Sequence, residues 1–522
     1  MKRILSLLLS FIMVAGLFCG CNREGDPYVP TGDGLTWDED YTGPTVTHHT
    51  DDAEQVLNLT YYPDRSMNPL LCTDFTNRAL FSLLYQSLFA VDRNYNIEPQ
   101  LCSQFRVAED MRSYTFYLEN ATFSDGSAIT VQDAVATLQA ATESDYYGGR
   151  LKHVTEIVAT EDNGISIKLD TPYENLPLLL DIPILKQDQL AEDQPLGTGP
   201  YYMDTTAQLP LLRRNSAWWC NAKMLITAPA ITLKIAEDAT DIRDTFEFEN
   251  LSLVCADPGS DRYADYRCDY ELWDCENNIF LYLGCNMDST VFSVPEVRAA
   301  LTYAIDRDTL AADHYRGFAR AASLPASPLS PYYSQTLAAK YAYDGGEAFT
   351  QAVAGAGLSG STIILLVNSD DSLRLRVARA IGEKLTAAGL TVQLNEFGTK
   401  AYTQALTYRN YDLYLGQTKL SANMDLSAFF SSRGALSYGN ISDVGMYTLC
   451  TESLANHGNY YTLHKSIMDD GRLCPVLFRS YAVYATRGLL TGLTPARDNI
   501  FYYSLGKTME NAQIMQQEKG QS

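Results

Sequence analysis

Residues 362–415 read TIILLVNSDDSLRLRVARAIGEKLTAAGLTVQLNEFGTKAYTQALTYRNYDLYL. Residues 362–367 form a β-branched and apolar run, the composition of a buried strand. Residues 372–388 then place Leu373, Val377, Ala380, Ile381, Leu385 and Ala388 on one helical face, and Gly389 stops the helix. Residues 391–397 alternate through Val392 and Leu394, residues 402–408 are short and helical, and residues 411–415 are another apolar strand. Strand, helix, strand, helix, strand predicts a parallel sheet and the α/β class.

Working outward, residues 55–61 begin an extended run that Asn68-Pro69-Leu70 closes with a turn. Residues 77–88 set Leu80, Phe81, Leu84, Tyr85 and Leu88 on a helical face. Residues 114–118 and 165–169 alternate as strands. Phe123-Ser124-Asp125-Gly126 is a tight turn, and Thr130 caps a helix with Asp133 at the capping-box offset. Pro295 suits a first helical position.

The chain has 522 residues, with 39 Lys+Arg against 63 Asp+Glu and a net charge of −24. That length suits two or three domains. The acidic balance argues against nucleic acid as a partner, because a phosphate backbone rewards the opposite sign. Its 35 Tyr supply apolar area with a hydroxyl, which suits broad contact surfaces as well as cores.

Met1-Lys2-Arg3 is basic, residues 4–20 carry no charge, and Cys21 follows. This is the layout of an export signal over residues 1–20. Phe18-Cys19-Gly20-Cys21 resembles a bacterial lipobox, with Cys21 as the lipidated residue; a plain signal peptide or an anchor helix is the alternative. Two acyl signals on Cys21 hold a protein stably at a membrane. The rest of 21–52 is rich in Gly, Pro, Asp and Thr without a hydrophobic period, and reads as a flexible tether.

Nine cysteines remain beyond Cys19 and Cys21, an odd number that leaves at least one thiol. None forms a Cys-x-x-Cys pair, so neither zinc nor thioredoxin chemistry is expected. Cys268, Cys275 and Cys285 are read either as small buried side chains or as holding one disulfide. The six His form no His-Glu-x-x-His helix, and no Gly-x-Ser-x-Gly elbow occurs. No catalytic residue, metal or cofactor is assigned.

Several motifs occur together in order. They are Asn68-Pro69-Leu70 with Leu84-Tyr85-Gln86-Ser87-Leu88-Phe89, and Tyr114-Thr115-Phe116-Tyr117-Leu118 followed by Phe123-Ser124-Asp125-Gly126-Ser127 and Thr130-Val131-Gln132-Asp133-Ala134. Then come Leu196-Gly197-Thr198-Gly199-Pro200-Tyr201 with Trp218-Trp219, Val297-Arg298-Ala299-Ala300-Leu301 with Ala304-Ile305-Asp306-Arg307, and Pro475-Val476-Leu477-Phe478. In this order they resemble the family 5 extracellular solute-binding proteins of ABC importers, the oligopeptide, dipeptide and nickel-binding type. The match runs from about Val56 to about Arg487.

The resemblance implies a two-lobed periplasmic-binding-protein-like clamp of type II with an extra inserted subdomain. Lobe I would combine 53–89, 171–272 and 485–522; the insert would be 90–170; lobe II would be 273–484. It implies a lipid-anchored protein on the outer face of the cell membrane. Such a protein captures a peptide or other small solute between its lobes and delivers it to ABC permease subunits and their ATPase, as a monomer. A nickel chelate, an oligosaccharide or a signalling peptide as ligand, a sensor on the same scaffold, or an exported hydrolase are the alternatives.

In peptide-binding relatives an aspartate after a lobe II strand grips the peptide's α-ammonium. Here Gln417 stands where the family has tryptophan, Leu420 stands at the family's usual aspartate place, and Asp425 comes five residues later. Asp425 is read either as the ammonium anchor or as the cap of the helix starting near Leu426. Asp74 and Phe75 fall where relatives place a ligand-contacting loop. Arg433 is a candidate for a ligand carboxylate or a structural arginine, and Tyr481 is a candidate read toward the core.

Overall fold

The segment 362–415 folds in the order its sequence implies. Strands Thr362–Asn368, Thr391–Phe397 and Leu413–Lys419 alternate with helices Ser372–Ala387 and Thr399–Tyr408. Thr362–Asn368 pairs in parallel with the other two strands. Asp371 opens the longer helix by accepting from Arg374 N–H at 2.9 Å. The computed structural model describes residues 57–507 except 205, 208, 222–227, 237–238, 249–250, 259–265 and 491–492. These residues belong to the unit Tyr41–Ser522. The export signal, Cys21 and the tether lie outside them.

The three parallel strands are one edge of a seven-stranded mixed sheet. Its order is Leu253–Ala256, Leu473–Thr486, Tyr270–Cys285, Leu413–Lys419, Thr362–Asn368 and Thr391–Phe397, with Ala319–Ala321 also on Leu473–Thr486. Period-two alternation splits its side chains between two cores. Leu281, Leu283, Ile363, Leu365, Leu413 and Leu415 pack on one face. Phe280, Tyr282, Leu366 and Tyr414 pack on the other. Both faces are dry, which is why these strands read as continuous apolar runs.

A third core lies in the N-terminal half. It collects one sheet ordered Leu57–Tyr61, Ala230–Ile235, Leu211–Arg214, Tyr201–Asp204 and another ordered Cys102–Val107, Ser113–Leu118, Ile165–Leu169, Val154–Ala159. The helix Val131–Thr142 starts with the expected box: Thr130 N–H donates to Asp133 Oδ2 at 2.8 Å, and Asp133 N–H to Thr130 Oγ1 at 3.2 Å. Pro295 opens the helix Pro295–Ala300.

Two long strands connect the cores. Tyr270–Cys285 and Leu473–Thr486 run antiparallel for 16 and 14 residues. Leu281 and Leu477 belong to the C-terminal core, while Cys275, Val483 and Ala485 belong to the N-terminal one. Between these ends the register slips after Glu276, and Asn278 adopts a left-handed φ of 58°.

Three details differ from the sequence reading or extend it. Residues 77–88 do not form one helix but two short ones, Phe75–Arg78 and Phe81–Leu84, followed by extended chain. The carbonyls that would continue a helix serve other segments: Leu84 O accepts from Gly199 N–H and Gln86 O from Ile184 N–H, each at 2.9 Å. Arg307 is buried and donates to the carbonyls of Thr302, Ile305, Ala322 and Pro475 rather than to a carboxylate. Cys275 and Cys285 are buried thiols in no disulfide, and burial raises the pKa of both.

Candidate functional site

A cleft of about 880 Å³ opens where several segments meet. Its walls come from residues 78–100, the stretch 145–153, Asp170 and 181–183, the loop 418–436, and the turn 496–499. The stretch 145–153 is held by a 3-10 turn, Gly148–Leu151. Gly148 permits it, because a side chain there would press on the Thr142 carbonyl at 2.6 Å. The loop 418–436 leaves the strand Leu413–Lys419 and passes through Met424, whose φ is 52°. Arg497, also left-handed at φ 54°, turns the C-terminal segment back into the cleft.

The cleft is charged. Six cations line it: Arg78, Arg150, Lys152, Lys419, Arg433 and Arg497. Five carboxylates face them: Asp145, Asp170, Asp181, Asp425 and Asp498. In a chain of net charge −24, this is a local reversal of sign.

Asp425 is the best-held carboxylate, with a side chain only 4% exposed. Its Oδ1 accepts from Ser427 N–H at 2.8 Å, at the start of the helix Ser427–Phe430. Its Oδ2 lies 2.8 Å from Lys152 Nζ and 3.9 Å from His153 Nε2. Burial raises its pKa, but the Lys152 ammonium and the Ser427 N–H outweigh burial and hold it below the usual carboxylate range. His153 Nδ1 is 2.8 Å from Asp170 Oδ1.

Lys419 stands where the loop meets the C-terminal turn. Its Nζ pairs with Asp498 and donates to Tyr146 Oη at 2.8 Å. Burial disfavours the ammonium, yet Asp498 and Tyr146 more than offset this and raise its pKa. Asp181 sits between Arg150 at 2.5 Å and Arg497 at 3.1 Å. Burial works against that carboxylate, and the two guanidinium groups overcome it and lower its pKa. Arg78 lies 3.3 Å from the Tyr146 ring centre and donates to Tyr147 Oη at 2.9 Å.

Of the residues singled out from sequence, Asp425 and Arg433 line the cleft, whereas Asp74, Phe75, Gln417 and Tyr481 do not. Asp74 caps the helix Phe75–Arg78, accepting from Asn77 N–H at 3.1 Å. Phe75 stacks on Tyr481 with ring centres 3.9 Å apart. Gln417 Oε1 accepts from Arg479 Nη1 at 3.0 Å. Strand alternation puts Gln417 in phase with the core residues Leu413 and Leu415, and its neighbour Thr418 lines the cleft. Sequence reasoning missed Tyr146, Arg150, Lys152, Lys419 and Arg497. The stretch Asp145-Tyr146-Tyr147-Gly148-Gly149-Arg150-Leu151-Lys152-His153 carries a usable signal: paired tyrosines and glycines beside three basic residues in an acidic chain.

No three His, Cys, Asp or Glu side chains among the described residues gather as a metal would require. Nor is any helix there long and apolar enough to cross a membrane.

The profile of bacterial extracellular solute-binding proteins, family 5 Middle, matches residues 96–437. Oligopeptide-binding protein AppA of Bacillus subtilis (strain 168) is 24% identical over 390 residues, 66% of this chain and 69% of that one. Glutathione-binding protein GsiB of Escherichia coli O1:K1 is 24% identical over 294 residues, 51% of this chain and 55% of that relative, so the match spans about half of its length. Among solved structures, the unliganded open form of the periplasmic murein tripeptide binding protein MppA superposes with a TM-score of 0.71 at 14% identity, covering 87% of this chain and 98% of that one. The chain therefore has the two-lobed periplasmic-binding-protein fold.

Proposed function

The chain belongs to the bacterial extracellular solute-binding proteins of family 5, and from that premise we propose that its cleft captures a short peptide or similar small solute for an ABC importer. The carrying observation is the cleft itself: about 880 Å³, walled by segments far apart in sequence and lined by charged and aromatic groups. That size holds a small solute with most of its surface buried. The names of relatives that bind oligopeptide, glutathione and murein tripeptide support a peptide.

In this reading, lobe I is 53–89, 171–272 and 485–522, the insert is 90–170, and lobe II is 273–484. The long strands Tyr270–Cys285 and Leu473–Thr486 supply the hinge, flexing near the bulge after Glu276. Solute favours the closed state because it touches both walls only there. The protein works as a monomer, carries out no chemistry on its solute, and presents it to permease subunits and their ATPase. A lipid on Cys21 keeps it at the outer membrane face, with the tether to 52 giving it reach.

Two experiments test this. A thermal-shift panel of di- to pentapeptides should contain stabilising ligands; at a hundred times the dissociation constant, stabilisation should be about 2.7 kcal/mol. A panel with no shift contradicts peptide capture. Cys21→Ser should release the protein from membranes, and unchanged membrane association contradicts the anchor.

A further inference from the structure

Arg78, Arg150 and Lys419 converge on Tyr146 and Tyr147 in one wall of the cleft, and Arg497 joins them through the carboxylate it shares with Arg150. Arg78 lies over the Tyr146 ring and donates to the carbonyls of Pro69 and Cys72 at 3.2 and 2.9 Å and to Tyr147 Oη at 2.9 Å. Among the described residues no carboxylate is within ion-pair distance of it. Arg150 and Arg497 share one carboxylate, Asp181. Lys419 has Asp498. Four cations thus share two paired carboxylates, with the exposed Asp145 the third carboxylate of this wall, in a chain otherwise strongly acidic.

The excess is also visible atom by atom. Arg497 is 9% exposed, and its Nε has no hydrogen-bond partner, while its Nη1 faces Asp181 at 3.1 Å; Arg150 Nε has no hydrogen-bond partner either. Buried guanidinium N–H groups left unpaired are costly, and an oxyanion is the acceptor that fits their fork. On the loop 418–436, the exposed Arg433 guanidinium has no partner among the described residues. Of the carboxylates lining the cleft, Asp425 is already held by Lys152 and Ser427, Asp181 and Asp498 are ion-paired, and Asp145 and Asp170 are exposed. Cationic groups are therefore available to a solute, and the buried Asp425 is not.

We propose that this wall is an anion subsite, so that the solute carries carboxylate groups, one of which docks beside Tyr146 between Arg78, Arg497 and Lys419. The proposal rests on the reading of the cleft as the solute site and adds the charge of the solute. The carboxylates belong either to acidic side chains of a peptide or to a non-peptide polycarboxylate.

The test is isothermal titration of the full chain with Glu-Ala-Glu, Ala-Ala-Ala, Lys-Ala-Lys and citrate. Glu-Ala-Glu or citrate should bind at least about tenfold tighter than Ala-Ala-Ala, with Lys-Ala-Lys weakest; which of the two leads identifies the source of the carboxylate. Lys419→Met should cost the acidic probe about tenfold and Ala-Ala-Ala less than about twofold. Should that variant fail to fold, the wild-type chain gives the same information: raising NaCl from about 20 to about 500 mM should weaken the acidic probe alone. If Ala-Ala-Ala or Lys-Ala-Lys binds as tightly as the acidic probes, the anion subsite is refuted while the cleft stands as a solute site. If no probe binds, peptide capture and the anion subsite both fall.

Discussion

His464 makes the stability of the C-terminal part of the chain depend on pH. It lies on the helix Tyr460–Asp470, fully buried beside Leu463 and Ile467, with its ring 5.6 Å from that of Tyr460. Neither ring nitrogen has a hydrogen-bond partner. Burial alone pushes its pKa down to about 3. An unfolded histidine titrates near 6.5, so between those values the unfolded chain binds a proton that the folded chain refuses. The stability from keeping His464 neutral is complete above about pH 6.5 and is lost as pH falls toward 3. From pH 7.5 to 5.0 the loss from this one residue is about 2 kcal/mol. His464→Leu removes the titrating group and two unpaired polar atoms at similar volume, so it should also stabilise the protein at pH 7.5 by about 1 kcal/mol. The assay is urea unfolding of wild type and variant at the two pH values, followed by tyrosine fluorescence. The difference between the proteins should grow by about 2 kcal/mol at pH 5.0. Equal pH dependence in both would refute the reasoning, because His457 and His314 are common to both chains.

Further expectations follow from particular contacts. Lys152→Met leaves the Asp425 carboxylate buried with the Ser427 N–H, whereas Asp425→Asn leaves an ammonium whose side chain is 33% exposed and reaches water. Chemical denaturation should therefore show the first costing about 3 kcal/mol and the second clearly less; the reverse order would contradict the assigned burial. If Asp425 instead grips a solute ammonium, Asp425→Asn should weaken binding of Ala-Ala-Ala by about tenfold in calorimetry. Gly199→Ala drives a methyl group into the Leu84 backbone, whose carbonyl accepts from Gly199 N–H. It should lower stability by at least about 2 kcal/mol, and a neutral thermal melt would contradict the close approach.

The parts of the fold legible in the sequence are those in which neighbouring residues decide the outcome. The continuous β-branched and apolar run at 362–367, the helical face from Leu373 to Leu385, and the box of Thr130 and Asp133 each specify their element locally. Residues 77–88 were not legible in this way. Their apolar pattern is helical, but Leu84 and Gln86 give their carbonyls to Gly199 and Ile184, more than 90 positions away. The site was harder still. Asp425 and Arg433 were found through the segment they occupy, but the ion pairs that define the cleft join Lys152 to Asp425 and Lys419 to Asp498. No local spacing announces such pairs, because the fold alone brings them together. Gln417 shows the converse: position along the chain suggested a ligand role, while strand phase turns it toward Arg479; Tyr481, read toward the core, stacks on Phe75.

Native mass spectrometry of the purified full chain, before and after unfolding and refolding, tests the central claim of solute capture most directly. A non-covalently held small molecule should leave on unfolding, rebind in the cleft lined by Lys419 and Arg497, and fragment as an acidic peptide or polycarboxylate. A chain that neither retains a small mass nor gains one from a peptide mixture would refute solute capture.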